Sequence, residues 1–99
     1  MNLMRSLAAI LKALSNPNRL HVYLVVCRKG ASEGITIDKL CLAAKMKQPA
    51  VSHHVAKLAA AGLVDRRKSR WWVHCTPNPA AGELLKRFAS DPAGFTDGP

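Results

Sequence analysis

Acidic residues are scarce in this sequence: six Asp and Glu stand against fifteen Lys and Arg, and the formal net charge is +9. The six acids are scattered, so they offer no carboxylate pair for general acid–base catalysis. Neither a Ser/His/Asp nor a Cys/His constellation is visible, and no glycine-rich phosphate loop occurs. The sequence therefore predicts a protein that is not an enzyme and that carries no cofactor.

Long apolar runs and closely spaced cysteines are missing as well. No apolar stretch approaches the roughly 20 residues that a helix needs to cross a bilayer, and the first segment, MNLMRSLAAILKALSNP, has no signal-peptide cleavage site. The three cysteines, Cys27, Cys41 and Cys75, lie far apart in the sequence. These absences predict a cytoplasmic protein with reduced thiols and no membrane partner.

Aromatic residues are few, so a core has to be built mainly from Leu, Val, Ile and Ala, a composition that favours helices. The apolar fraction of 48% fits a folded chain, and 99 residues suffice for one domain. We expect that domain to cover residues 1–89. The segment SDPAGFTDGP, residues 90–99, has the Gly, Pro and Asp content of a flexible tail.

Positive charge is concentrated in one third of the chain. Between Lys45 and Thr76 there are seven basic residues and one acid, Asp65, so this segment carries six of the nine net charges. An evenly solvated surface would not concentrate charge in this way. The expected partner is a polyanion such as nucleic acid, and an anionic membrane is the second candidate.

Hydrophobic periodicity predicts five helices and a hairpin. In the second helix we expect Leu20, Tyr23, Leu24 and Cys27 to point inward, and Ile35-Thr36-Ile37 is a candidate for a minimal strand. The predicted elements are helices over about 3–14, 17–28, 38–45, 48–61 and 79–89, and strands over 63–68 and 71–76 that join around Ser69-Arg70.

The fourth helix, within Gln48–Val64, organises the rest of the chain. Its apolar stripe is formed by Val51, Val55, Leu58 and Ala59, and Gly62 ends it. The opposite face carries side chains that can donate hydrogen bonds to a molecule outside the protein, namely Gln48, Ser52, His53 and Lys57, with His54 slightly further round. Together with the short helix before it, this helix forms a helix-turn-helix.

Three segments carry a likeness to a known family. They are LKALSNPNRL at 11–20, DKLCLAAKMKQPAVSHHVAKLAAAGLVDRR at 38–67 and KSRWWVHC at 68–75, and the most specific string runs from Ser52 through His54, Val55, Leu58 and Gly62 to Val64. In these segments the chain resembles the ArsR/SmtB winged helix-turn-helix repressors. The resemblance implies a mainly α fold with a small β-hairpin wing, in the order of four helices, two strands and a last helix.

The resemblance also implies a homodimer that binds double-stranded DNA, with the first and last helices at its interface and a pseudo-palindromic operator. His54 has a second interpretation, as a residue that caps or packs between helices, and any basic residue here could simply be solvated. The positions that match the DNA-contacting ones of the family are Gln48, Ser52, His53, His54 and Lys57 on the helix and Arg66, Arg67, Lys68 and Arg70 on the wing.

The residues that metal-sensing members use do not recur. The segment GITID, 34–38, lacks the paired cysteines of the third helix, and PAAGELLKRFAS, 79–90, offers only Glu83 and no histidine. The sequence thus predicts a metal site that is absent or non-standard, with no residue assigned to it, and it leaves the effector unknown. Cys27 and Cys75 are either small buried apolar residues or a thiol pair whose oxidation alters DNA affinity.

Two further expectations can be tested against a structure. Alternation along the wing sends one of Trp71 and Trp72 inward and the other outward, where it either covers the last helix or forms a platform for a ligand. A competing function, a winged helix for protein–protein contact or RNA binding, would not need the polar helix face and the basic wing together. The sequence favours a transcriptional repressor.

Overall fold

Helices and short strands follow one another in the predicted order in the computed structural model, which describes residues 2–97. None of the described helices has the length and apolar content that crossing a membrane requires. The elements are α1 (Leu3–Leu14), α2 (Pro17–Lys29), β1 (Ile35–Thr36), α3 (Ile37–Ala44), α4 (Gln48–Ala60), β2 (Val64–Ser69), β3 (Trp72–Pro77) and α5 (Pro79–Ser90), followed by a 3-10 turn (Pro92–Gly94). The winged helix-turn-helix predicted from the sequence is confirmed.

Four of the five helices begin at a side chain that caps their first turn. A capping oxygen of this kind satisfies a backbone N–H that has no partner within the helix, which is worth about 1 kcal/mol. The capping residues are Asn2 for α1, Asn16 for α2, Thr36 for α3 and Asn78 for α5. The exception is α4, which follows Lys47 without any capping side chain.

A residue with positive φ follows each of the two helices of the helix-turn-helix. Lys45 ends α3 in the left-handed region at φ 57°, which allows a tight connection into α4. Gly62 follows α4 at φ 80°, and a Cβ there would meet nothing within 4 Å. The backbone conformation alone therefore favours glycine at this position, as the sequence predicted.

The core lies where α2, α3 and α4 meet the base of the sheet. Leu40, Leu58 and Leu63 are fully buried in it. On α2 the buried residues are Val22, Tyr23, Val25 and Val26, whereas Leu20 and Leu24 are exposed to 37% and 41%. The prediction that Leu20 and Leu24 point inward was wrong, because α2 carries apolar residues on two faces and the face with the valines is the one that packs.

The sheet has three antiparallel strands in the order β1-β3-β2, since the two residues of β1 pair with Cys75 and His74. The hairpin turn consists of Arg70 and Trp71 and connects the paired residues Ser69 and Trp72. Both tryptophans are exposed, Trp71 to 86% and Trp72 to 49%. The expected inward ring is absent because Trp71 belongs to the turn, and because alternation from the buried Cys75 places Trp72 on the outer face.

The tail that follows α5 makes specific contacts as far as Asp97. The ring of Phe95 packs edge to face against Phe88, with centroids 6.1 Å apart, and the Arg87 guanidinium lies 5.2 Å from the Phe95 centroid. The carboxylate of Asp97 accepts a hydrogen bond from the backbone N–H of Met4 at 2.6 Å. The division into residues 1–89 and a flexible tail at 90–99 stays a prediction, and residues 98 and 99 lie outside the described part.

Candidate nucleic-acid interface

The outward face of α4 is polar and its inward face is fixed in the core. Val51, Val55 and Leu58 are at most 1% exposed. On the other side Gln48, His53 and Lys57 are exposed and Ser52 is half-buried. The buried stripe holds the helix in place, so its polar side chains project from a rigid support.

His54 differs from its neighbours on α4. It is half-buried, and its Nδ1 atom is buried without a hydrogen-bond partner among the described residues. Burial lowers the pKa of His54, and the cations of Arg19 and His53 lower it further. The arrangement favours the second interpretation, a residue that packs between helices, over a residue free to reach a base.

Arg19 is the residue near His54 that the sequence analysis did not single out. Its Nε donates a hydrogen bond to the carbonyl of Ala13 at 2.7 Å, which ties the start of α2 to the end of α1. The Asn-Pro-x-Arg segment that supported the family likeness contains this arginine. The segment did not reveal that Arg19 also acts on α4.

The wing carries four exposed cations on a short hairpin. None of them forms an ion pair or hydrogen bond through its side chain within residues 2–97. Arg67 pairs with His74, and both side chains lie on the outer face of the sheet together with Trp72. Arg66 pairs with Cys75 and Lys68 pairs with Val73, so these two cations lie on the other face. The four cations are Arg66, Arg67, Lys68 and Arg70.

The acidic residue of the wing is engaged at its base. Asp65 accepts hydrogen bonds from Nδ2 of Asn78 at 3.2 and 3.3 Å, and Asn78 in turn caps α5. The carboxylate therefore helps to join β2 to the start of α5 and does not face the tip. The outer part of the hairpin, residues 66–70, presents positive charge only.

The start of α4 is electropositive. Lys45 and Lys47 are exposed just before it, and its first-turn N–H groups lack a capping side chain. The N-terminal end of a helix has a partial positive charge, which favours a nearby anion. We refer to the outward part of α4 with its two preceding lysines, together with the wing cations, as the α4–wing surface: residues 45–57 and 66–70.

The three cysteines are free thiols. Burial raises the pKa of the Cys75 thiol, an effect that the Arg66 cation partly offsets, and burial and then Asp38 raise the pKa of Cys41. Burial, together with a hydrogen bond to Cys27, raises the pKa of Tyr23 to about 12. A thiol that stays protonated is a poor nucleophile, so this environment does not activate Cys75, and the oxidation of Cys27 with Cys75 stays a prediction. Within residues 2–97 no group of three or more His, Cys, Asp or Glu side chains could hold a metal ion.

A groove of about 490 Å³ lies between α1, α5 and the end of α4. Leu3, Ile10 and Leu84 are among the residues that line it. Elsewhere on α1, Met4 and Leu11 are exposed to 49% and 41%. The first and last helices therefore leave apolar surface without a partner in the single chain.

Comparison with known proteins agrees with this architecture. The model of the arsR family of bacterial regulatory proteins matches residues 16–66. The HTH-type transcriptional regulator YgaV of Escherichia coli is 34% identical over 79 residues, which are 79% of this chain and 77% of that protein. The arsenical resistance operon repressor of Escherichia coli is 33% identical over 71% of this chain and 57% of its own length.

A further curated relative, the arsenic resistance transcriptional regulator ArsR1 of Pseudomonas putida, is 35% identical over 63 residues. The match covers 63% of this chain but only 47% of that relative, so the chain spans about half of its length.

Solved structures share the fold. HlyU from Vibrio vulnificus has a TM-score of 0.63 at 28% identity. The match covers 84% of this chain and 83% of HlyU. The homodimeric winged helix-turn-helix domain of Mb0332 from Mycobacterium bovis has a TM-score of 0.71 at 20% identity, with 94% and 85% covered. Fold, family model and relatives agree, and the chain belongs to the ArsR family of winged helix-turn-helix, DNA-binding transcriptional regulators.

Proposed function

We propose that this protein binds a pseudo-palindromic DNA operator as a homodimer and represses transcription from it. In this proposal α4 enters the major groove, where Gln48 is suited to bidentate contact with adenine, and Ser52 and His53 contact bases or phosphates. Lys57 contacts a phosphate, and the wing cations Arg66, Arg67, Lys68 and Arg70 follow the backbone. His54, which also lies on α4, packs between helices and is assigned no DNA contact.

One observation carries the proposal: the outward face of α4 is polar, and the wing that follows it carries four exposed cations with no side-chain partner within residues 2–97. The wing cations form no ion pair within the described residues, 2–97, and Val51, Val55 and Leu58 on the opposite face of α4 are buried. Desolvated donors would be costly in a core, so these side chains are kept for an external partner. A duplex offers base edges to the helix and phosphates to the wing at the same time.

The dimer rests on the apolar surface of α1 and α5. A groove between them and the exposed Met4 and Leu11 give a second copy an apolar surface to cover. The winged helix-turn-helix domain of Mb0332, which has a similar fold, is homodimeric. A twofold axis would place the two α4 helices in successive major grooves, about 34 Å apart, which is one helical turn.

Repression is the role that the name of one relative states, the arsenical resistance operon repressor of Escherichia coli. A protein of this size that covers an operator can block transcription by occupying the DNA, without a further activity. The competing function, a winged helix that binds RNA or protein, leaves the polar face of α4 without a purpose.

Selection of bound sequences from random double-stranded DNA tests the proposal. We expect a palindromic motif with half-sites about ten base pairs apart. The variant Gln48→Ala/Ser52→Ala should lose roughly 5- to 150-fold in discrimination between this operator and scrambled DNA for each of the two half-sites, the range for one lost base contact. Lys86→Gln, an exposed change on α5, serves as the control. A chain that selects no motif, or that prefers structured RNA, would contradict the proposal.

A further inference from the structure

The tip of the wing exposes an aromatic ring that the folded chain does not use. Trp71 is 86% exposed. Its ring has no aromatic or cation–π partner within residues 2–97. Tryptophan is on average one of the more buried residues because its large ring is costly to hydrate. A ring this exposed in the turn of a hairpin contributes little to the packing of the fold, and we look for its role in a contact outside the chain.

The turn that presents this ring breaks a local rule. Two-residue hairpin turns favour Gly, Asn or Asp because at least one residue takes a positive φ. Here the residues are Arg70 and Trp71, and Arg70 has φ 54°. Non-glycine residues in this region are strained, and such strain tends to be retained at functional positions. The turn therefore lacks the residue types that its backbone conformation favours, and it carries instead a cation next to an exposed ring.

The charge around Trp71 selects the partner. Arg70 is its neighbour in the turn, Lys68 and Arg67 precede it on β2, and no acid lies between Arg66 and Trp71. A ring surrounded by cations is complementary to a polyanion that also offers apolar or stackable surface. Double-stranded DNA offers this in its minor groove, where phosphates flank the stacked bases.

The length of the wing matches the distance to that groove. β2 starts at Val64 in the core, and five residue steps at about 3.3 Å place Ser69 roughly 17 Å further out. Half a helical turn of DNA, the approximate separation of a major groove from the next minor groove, is also about 17 Å. A wing of this length is long enough to span the separation between the major groove assigned to α4 and the adjacent minor groove.

We propose that Trp71 inserts into this minor groove as a wedge and partly unstacks one base step, while Arg70 and Lys68 hold the flanking phosphates. The inference rests on the proposed DNA binding and adds a second source of specificity. Pyrimidine–purine steps such as TA and CA unstack most readily. The wing would thus favour operators that have a flexible step beneath it, although it makes no hydrogen bond to a base.

The two tryptophans of the chain allow a direct test. In Trp72→Phe, Trp71 is the sole tryptophan, and its fluorescence reports its environment. We expect iodide and acrylamide to quench it efficiently in the free protein and poorly in the complex with the selected operator, in which its emission is also quenched by stacking. In the matched variant Trp71→Phe, the remaining Trp72 should change much less. 2-Aminopurine at the step beneath the wing should brighten when the wild-type protein binds.

A substitution then measures the contribution to affinity. Trp71→Ala should weaken operator binding by roughly 5- to 150-fold for each of the two wings of the dimer, the range for one aromatic stack on a base. It should also abolish the preference for TA over a stiff step and leave the salt dependence of binding unchanged. If Trp71 stays accessible to iodide in the operator complex and 2-aminopurine stays dark, the wedge is refuted.

The possible failures can be told apart. If the wild-type chain selects no operator at all, the proposed function fails before the wedge is tested. If it selects an operator but Trp71 remains solvent-exposed there, only the wedge fails. A blue shift of Trp71 on vesicles of anionic phospholipid, with none on the operator, would instead assign the tip to a membrane surface and overturn the inference.

Discussion

Neutralising the wing should change the salt dependence of DNA binding by an amount that can be calculated. We consider Arg67→Gln combined with Arg70→Asn, because Asn tolerates the positive φ of Arg70 better than most residues. Each phosphate contact that is lost lowers the slope of log K against log salt by about 0.9. Two residues in each of two protomers remove four contacts, so the slope should fall by about 3.6.

The consequence is large over an ordinary range of buffers. Between 50 and 200 mM salt the wild-type protein should lose roughly 150-fold more affinity than the double variant, since a fourfold change in salt is raised to the power of 3.6. Fluorescence anisotropy of labelled operator, measured at five or six salt concentrations, gives the slope directly. Both side chains are exposed and unpaired, so the free energy of unfolding should stay within about 0.5 kcal/mol of the wild type.

The control and the refutation follow from the same surface. Lys86→Gln removes an exposed cation from α5, outside the α4–wing surface, and should leave the slope unchanged. The double variant should weaken binding to operator and to scrambled DNA alike, because phosphates carry no sequence information. An unchanged slope would show that the wing does not contact phosphates, and a loss confined to the operator would show that it reads bases.

Two other properties can be tested with single substitutions. Because burial and Arg19 lower the pKa of His54 in the folded protein below the roughly 6.5 of an unfolded chain, the unfolded state binds more protons in acid. The free energy of unfolding should therefore fall as the pH drops from about 6.5 toward the lowered value. Chemical denaturation at several pH values should show a smaller fall for His54→Gln but not for His21→Gln, at an exposed position on α2. Leu11→Glu, on the exposed apolar surface of α1, should convert the dimer into a folded monomer and cost operator affinity, as analytical ultracentrifugation and DNA titration would show. Leu42→Glu, at a position on α3 that is 80% exposed, should leave the dimer intact, and equal masses for both variants would contradict the proposed interface.

Much of the helix-turn-helix could be predicted because local and tertiary signals agree there. Val51, Val55 and Leu58 repeat at helical spacing, and all three are buried. Gly62 stops the helix because its backbone has positive φ, which sequence alone can suggest. Asn16 and the proline after it begin α2 for equally local reasons. Where the conformational preference of a residue agrees with its place in the core, the sequence pattern is sufficient to predict the structure.

The inward face of α2 could not be predicted in the same way. Leu20 and Leu24 are spaced four apart, and so are Val22 and Val26, so both pairs form a helical stripe. Spacing alone therefore favours neither pair as the buried one. The core takes the shorter valines. Only the approach of α3 and α4 decides between the two faces, and that information is not local.

The remaining disagreements lie at surfaces that another molecule would complete. Trp71 and Trp72 were expected to divide between inside and outside, but a turn that takes in Trp71 leaves both rings in water. Leu11 is an apolar residue of α1, yet it is 41% exposed in the single chain. Exposing an apolar side chain to water at such a position costs free energy in the isolated protomer, and burying it in a complex recovers that free energy. The wing tip and α1 are therefore the two places where measurements on the complex, with DNA and with a second copy, bear most directly on why these residues are present.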